Sequence, residues 1–257
     1  MSKIVVITGS SSGIGDALAR QYLNAGAKVV GLDVNSAHNV SAFYKVDVSN
    51  EDQMNTVAQR IVEEVGRPTH WYNNAGIAVL GAFEKISSKE FDRVLDVNLK
   101  GVVYGTRAAI KAMNGMGVII NVASVAGIVP CSYMSSYVAT KHAVVGFTRA
   151  LRLEHEQAKS QMRFVLVSPG MVKTPIMEPN GEKWLPSKFD FMVEDPAKVA
   201  REIISGVERG KVEIKPTRSG KMLLASYRIS PTLATKSSRM LVSTNWKQLL
   251  GLEKIHR

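Results

Sequence analysis

The stretch KIVVITGSSSGIG, Lys3 to Gly15, runs from a short β-branched apolar pattern straight into three glycines and a block of serines. Gly9, Gly13 and Gly15 fall where a first strand would hand over to a first helix. A turn of that kind aims backbone N–H groups and a helix N-terminus at one point, which suits an anion. Its spacing is G-x3-G-x-G, not the commoner dinucleotide spacing G-x-G-x-x-G. Read alone, it serves equally as a plain Gly/Ser turn.

The flanking sequence supplies the context. Strand-like runs lie at 4–8, 28–33, 71–75, 117–124 and 163–168, with a weaker one at 42–48 and a seventh at Lys211–Lys215. Short and β-branched, they suit strands buried on both faces. Helical patterns fill the gaps: Gly13–Asn24, Asn50–Val65, Ser88–Met113, Ser135–Ala158 and Pro196–Arg209. Ser49 with Asp52 and Ser87 with Glu90 read as capping boxes, and Asp195-Pro196 as an N-cap followed by proline. Such alternation predicts right-handed βαβ units, a parallel sheet and helices on both of its faces, in a single α/β domain. The second strand ends in Asp33, twenty residues after Gly13. A dinucleotide fold places an acid there to bind ribose hydroxyls; a solvated turn aspartate is the ordinary alternative. A carboxylate at this point repels a 2′-phosphate, and neither Ser12 nor Val34 is a base that would receive one. NAD is therefore expected over NADP.

Composition bounds the rest. The chain has 257 residues, 45% hydrophobic, enough to bury a core without disulfides. Cys131 is the single cysteine, and no Cys/His cluster has metal-ligand spacing, so a reducing compartment and no metal are expected. No signal-peptide core precedes the first strand, and the expected location is cytoplasmic. The uncharged stretch from Asn114 to Thr140 is too rich in Ser, Gly, Asn and Pro to span a membrane. Charge is uneven: from Lys215 to the end nine Lys/Arg face one acid, Glu253, so +8 of the total +11 sits there.

Four further stretches complete a pattern: NNAG (73–76), VNLKG (97–101), SVAGIVPCSYMSSYVATK (124–141) and SPGMVKT (168–174). Together with TGSSSGIG they resemble the short-chain dehydrogenase/reductase family across about residues 3–175. The resemblance implies a doubly wound, Rossmann-type sheet of seven mostly parallel strands, spanning residues 1–217 with a substrate lid at about 171–195. It implies an alcohol dehydrogenase or carbonyl reductase using NAD(P), working as a dimer or tetramer. Gly9, Ser11, Ser12, Gly13, Ile14, Gly15 and Asp33 are thereby assigned to the cofactor. So are Asp47 and Val48 at the adenine and Asn74, Ala75 and Gly76 on the adenosine side. Pro169, Gly170 and Val172 join them, with Thr174 at the carboxamide. Asn98 is implied to interrupt a helix and anchor a water in the proton relay.

The chemistry also follows from the residues. Tyr137 and Lys141, four apart on a helical pattern, share one face. A phenol with a pKa near 10 is a poor base at neutral pH, so a nearby ammonium and a positive nicotinamide ring are expected to lower it. Three units of lowering correspond to roughly 4 kcal/mol. Ser124, closing a strand at the carboxyl edge, can hydrogen-bond the substrate oxygen. The expected catalytic set is thus Asn98, Ser124, Tyr137 and Lys141, with Lys141 also holding the nicotinamide ribose. Each alone has an ordinary reading as a cap, core aromatic or helix-surface residue. A sensor or scaffold that binds the dinucleotide without turnover is the alternative function; it has no need of all four. His142 and His155 are read as helix-surface residues.

Substrate-side residues Met171, Ile176, Met177, Trp184, Leu185, Phe189, Phe191 and Met192, with Val79, Leu80, Val129 and Met134, suggest an apolar, lipid-like alcohol or ketone. They serve equally to pack the lid. Beyond Thr217 the chain extends as a basic segment, 218–257, with the apolar run Met222-Leu223-Leu224 and a stripe through Val242, Trp246, Leu249 and Leu250. Two readings stay open for it: an anionic membrane surface, or packing on the body or a second subunit. No zinc finger, helix-turn-helix spacing or stacked aromatic pattern points to nucleic acid.

Overall fold

Strands that are apolar on both faces require helices on both faces. The computed structural model, which describes residues 3–177, 187–232 and 235, has this form. The elements are β1 Ile4–Thr8, α1 Gly13–Asn24, β2 Lys28–Asp33, β3 Ala42–Lys45, α2 Glu51–Glu64, β4 His70–Asn73, α3 Ser88–Leu95 and α4 Gly101–Met113. They continue as β5 Met116–Val122, α5 Ser135–Gln157, β6 Gln161–Val167, α6 Pro196–Glu208, β7 Glu213–Ile214 and α7 Arg218–Ile229. All seven strands pair in parallel, in the order β3-β2-β1-β4-β5-β6-β7. The order reverses between β1 and β4, and ligands bind such sheets at that switch point, beyond the carboxyl ends of the strands.

The strand alternation sorts side chains to two cores. Val5 and Ile7 join Leu18 and Tyr22 of α1 and Val199 and Ile203 of α6 on one face. Val6, Val30 and Leu32 join Met54 and Ile61 of α2 and Ala108 and Met113 of α4 on the other. Val144 and Val145 of α5 pack with Val102, Ala123 and Leu166. Each aliphatic side chain fully buried in this way contributes about 1.5–3 kcal/mol. A buried polar chain ties β4 and β5 to the helices over one face of the sheet. Trp71 Nε1 donates to Asn73 Oδ1, Asn73 Nδ2 donates to Thr106 and Asn121, and Asn121 Nδ2 donates to Thr148. Leaving any one of these unpaired would cost about 1–3 kcal/mol.

Helix starts match the capping signals at two of three places. Ser87 and Glu90 form the reciprocal box, and the Asp195 carboxylate accepts from the amides of Ala197 and Lys198. At α2 the cap is Asn50, which accepts from Gln53 N; Ser49 is drawn away because its hydroxyl donates to Asp47. The single helix expected over 88–113 divides into α3, a π-helical turn at Asp96–Lys100, and α4. His142 is exposed, but His155 stacks on Phe164 with ring centres 4.6 Å apart. The aromatic partner lies on β6, where helix spacing gives no sign of it. α7 is an element that the charge-dominated tail sequence did not announce. Trp184, Leu185, Val242, Trp246, Leu249 and Leu250 lie outside the described residues.

Candidate active site

The carboxyl ends of the strands open into one cleft of about 500 Å³. It draws together Gly9, Ser11, Ser12, Gly13, Ile14, Asp33, Asp47, Val48, Asn74, Ala75, Gly76, Ser124, Tyr137, Lys141, Pro169, Gly170, Val172 and Thr174. Gly15 and Asn98 stand behind this wall.

The glycine loop is shaped by close approach. Gly9 has φ +68° and lies so near β4 that an added Cβ would meet Ala75 Cα at 2.8 Å. A Cβ on Gly15 would run into the carbonyl oxygen of Gly9. Asn74 fixes this contact, its Nδ2 donating to the carbonyls of Thr8 and Gly9. Ser12 starts α1 without a side-chain cap. The first-turn amides are thereby left for an anion at the positive end of the helix. At the rim, Asp33 Oδ2 accepts from Ser11 N and Ser11 Oγ, and its Oδ1 from Asn35 N. The carboxylate is held at the end of β2, one strand beyond the loop. An open helix N-terminus beside an acid held at the end of the neighbouring strand suits the phosphates and ribose hydroxyls of an adenine dinucleotide.

Asp47 lines the cleft beyond the end of β3. Burial pushes its carboxyl up, but hydrogen bonds from Ser49 and the Arg93 guanidinium outweigh this and hold it below the usual carboxylate range. Arg93 reaches Asp47 Oδ2 at 3.1 Å and Ser49 Oγ at 2.9 Å, and it lines the cleft itself. Sequence reasoning missed Arg93 because it comes from α3, far from Asp47 in the chain.

Ser124, Tyr137 and Lys141 meet beyond the end of β5. Ser124 caps a single 3-10 turn, Val125–Gly127; its Oγ accepts from Ala126 N and donates to Pro169 O at 3.4 Å. The Tyr137 hydroxyl lies beside the Ser124 side chain, and both line the cleft. Lys141 lies one turn further along α5, with Nζ 5.5 Å from the Tyr137 ring centre and donating to Val122 O at 2.9 Å. Burial pushes the phenol up to about 12, the Ser124 hydrogen bond opposing it, and burial brings the Lys141 ammonium down to about 8. The lowering expected of the phenol joins Lys141 with a nicotinamide ring; between the two side chains alone, burial is the largest cause of each shift. Desolvation of both groups exceeds their mutual interaction, because Nζ is turned to a carbonyl.

Asn98 sits in the π-turn with its side chain fully engaged. Its Oδ1 accepts from Ile77 N at 2.8 Å, and Nδ2 donates to Ile77 O and Thr140 Oγ1. A methyl on Gly76 would come within 3.3 Å of Asn98 Oδ1 and 3.5 Å of Lys141 Nζ. Asn98 thus ties the loop after β4 to α5, directly behind Lys141.

On the substrate side Met134, Met171, Ile176 and Met192 line the cleft, as does the Cys131 thiol, pushed by burial up to about 11. Leu80 packs beneath Met134 and Tyr137, and Val129 is buried against α7; neither lines the cleft, nor does Val79. Phe191 points away from it, 82% exposed. In their place α7 contributes Ser219, Gly220 and Leu223. Thr217 holds that helix in position, its Oγ1 accepting from Gly170 N and Gly220 N. The sequence carries one sign of this, a Thr preceding a helical pattern at N-cap distance.

A family model for short chain dehydrogenases matches residues 3–184. The chain belongs to the short-chain dehydrogenase/reductase family. It is 35% identical to levodione reductase of Leifsonia aquatica over 219 residues, 79% of each chain. Similarity to the mouse NAD(+)-dependent 15-hydroxyprostaglandin dehydrogenase is 29% identity over 265 residues, covering 90% of this chain and 96% of that one. Among solved structures, a family member from Burkholderia phymatum in complex with NAD superposes with a TM-score of 0.79 at 27% identity, covering 88% and 92%. Membership makes this chain an oxidoreductase with a dinucleotide-binding fold. Among the described residues, no helix is long and apolar enough to cross a membrane.

Proposed function

We propose that this protein interconverts an apolar alcohol and its carbonyl, with NAD preferred over NADP and Tyr137 as the general acid and base. The observation that carries the reading is the convergence of Ser124, Tyr137 and Lys141 on one cleft with the uncapped glycine loop. When bound, the dinucleotide supplies the hydride acceptor or donor. The residues fitted to hold it are the glycine loop, Asp33, Asp47, the 74–76 turn, Lys141 and the 169–174 loop. Ser124 orients the substrate oxygen; its 3.4 Å bond to Pro169 is weak enough to be exchanged for one to substrate. Tyr137 delivers a proton to that oxygen as negative charge develops, or removes it in the reverse direction. Lys141 and Asn98 keep Tyr137 and the neighbouring loop in register. An apolar substrate is supported by the methionine-rich lining and the neutral thiol, and by the compounds for which two relatives are named, levodione and a hydroxyprostaglandin. Assembly as a dimer or tetramer belongs to the same reading and rests on the family pattern alone.

Tyr137→Phe removes the proton-carrying oxygen and keeps the ring. The expected result is a loss of about 10²–10⁴ in kcat, with NAD affinity within about twofold as measured by fluorescence titration. A panel of steroid, retinoid, acyl and sugar alcohols, followed by absorbance of the reduced nicotinamide, identifies the substrate for this measurement. Near-normal turnover by the Phe variant would remove Tyr137 from the mechanism.

A further inference from the structure

α7 has two faces of opposite character. Its inner face supplies Ser219, Gly220 and Leu223 to the cleft and packs Leu224 with Val125 and Val129. The outer face carries Arg218, Lys221, Met222, Ala225, Arg228 and Ile229, all exposed. Met222 is 73% exposed and Ile229 is 86% exposed. Single exposed apolar residues need no explanation. These two share a face with three bases on a helix that has no acid. None of the three bases is paired with an acid among the described residues. Phe191 adds a third exposed apolar side chain close by. It stands three residues before Glu194, whose carboxylate accepts a hydrogen bond from Arg218 N at the start of α7. This apolar and basic surface therefore flanks the opening that Met192 and Leu223 line. The chain beyond α7 continues the same charge, with five bases against Glu253 in 236–257.

We propose that the outer face of α7 lies on an anionic lipid surface, so that the helix walling the cleft also opens it toward lipid-dissolved substrate. Met222 and Ile229 enter the interface, while Arg218, Lys221 and Arg228 meet the headgroups. Charge decides between occupants. A second copy docked through α7 would set three bases against three across a two-fold axis, which repels. An anionic bilayer satisfies both the bases and the apolar pair. The inference rests on the apolar-substrate reading above for its purpose, but binding is measured without substrate or dinucleotide, so the two stand or fall separately.

The test uses the full chain and sedimented vesicles of phosphatidylcholine, with or without about one-third phosphatidylserine. Binding is expected with the anionic vesicles only, weakening as salt rises. Lys221→Gln with Arg228→Gln should lower partitioning about 30-fold, from about 1 kcal/mol per base at about tenfold per 1.4 kcal/mol. Met222→Asp with Ile229→Asp should abolish it. Both double variants should turn over water-soluble alcohols normally, since none of these side chains lines the cleft. Should the aspartate pair unfold the protein, the glutamine pair decides. Failure of the native chain to bind anionic vesicles overturns the proposal. So does unchanged binding by both variants, which would assign the contact to 236–257, or loss of a dimer by the variants in place of lipid binding. Vesicle binding by a chain that oxidises no alcohol would leave this surface standing and remove the enzymatic reading instead.

Discussion

Lys141 is an ionisable group held almost without water, and its cost can be read from pH. The residue is 3% exposed, and burial brings its ammonium down to about 8 in the folded chain, against about 10.4 for a free lysine. The folded state therefore binds fewer protons than the unfolded state between those values. Stability rises with pH wherever the unfolded chain binds more protons. The sign is thus opposite to that of a lysine stabilised by a carboxylate. Below pH 8 the penalty is fully present, and it is lifted as pH climbs toward 10. From the two pKa values, wild type should gain about 2 kcal/mol between about pH 7.5 and 9.5 relative to a variant without the charge. Tyr137, raised to about 12, acts only above that window and in the opposite direction.

Lys141→Met is the appropriate perturbation, because it keeps an unbranched chain in the same volume. It also removes the donor to Val122 O, but that offset does not change with pH. Urea unfolding of both proteins without dinucleotide, at half-unit steps from about pH 7 to pH 10, gives the difference directly; groups common to both cancel. The gap should move in favour of wild type by about 2 kcal/mol across the window, with a slope no steeper than about 1.4 kcal/mol per unit. A gap that stays flat would show that Lys141 keeps its ordinary pKa, and a gap moving the other way would show a hidden acidic partner. Either result refutes the burial argument.

Asp33→Ser removes the acid that faces the ribose and should collapse the NAD/NADP preference in kcat/KM by about tenfold or more. It also frees Ser11 N and Oγ, so NAD affinity should fall as well; a native enzyme that already prefers NADP would sink the assignment. Arg93→Ala should raise KM for NAD several-fold with kcat unchanged at saturation, and Arg93→Lys should recover part of the loss. An unchanged KM would reduce Arg93 to a surface partner of Asp47, worth little.

The cofactor half of the cleft was legible because its determinants are local. A strand, a tight turn and a helix start follow one another in 4–15, and the acid of β2 comes at a fixed distance after them. The Tyr137 and Lys141 pair is similarly a matter of one helical turn. What stayed hidden depends on contacts across the chain. Ser49 looks like a cap for α2 until Asp47 claims its hydroxyl. The Tyr137 pKa could not be read from spacing, since spacing carries no information on how dry both groups become.

The tail shows the same limit from the other side. Met222, Leu223 and Leu224 read as one apolar run, but a helix turns about 100° per residue, and the run is split among three surroundings. Met222 faces outward, Leu223 faces the cleft and Leu224 is buried against Val129. Periodicity identifies such a helix only when its apolar stripe is wide, and three bases on the outer face of α7 narrow it. The attachment is equally non-local: Thr217 ties α7 to Gly170, and Glu194 ties it to the root of the lid, where Val172 and Glu194 form a single parallel bridge. The two halves of the cleft are thus specified differently. Backbone geometry at strand ends fixes the dinucleotide half, while a helix pinned at its first turn, by a threonine hydroxyl and a glutamate, forms the substrate wall. Residues such as Leu223 can therefore change without disturbing the sheet. On the proposed reading, selectivity for substrate has room to vary while the hydride chemistry stays in place.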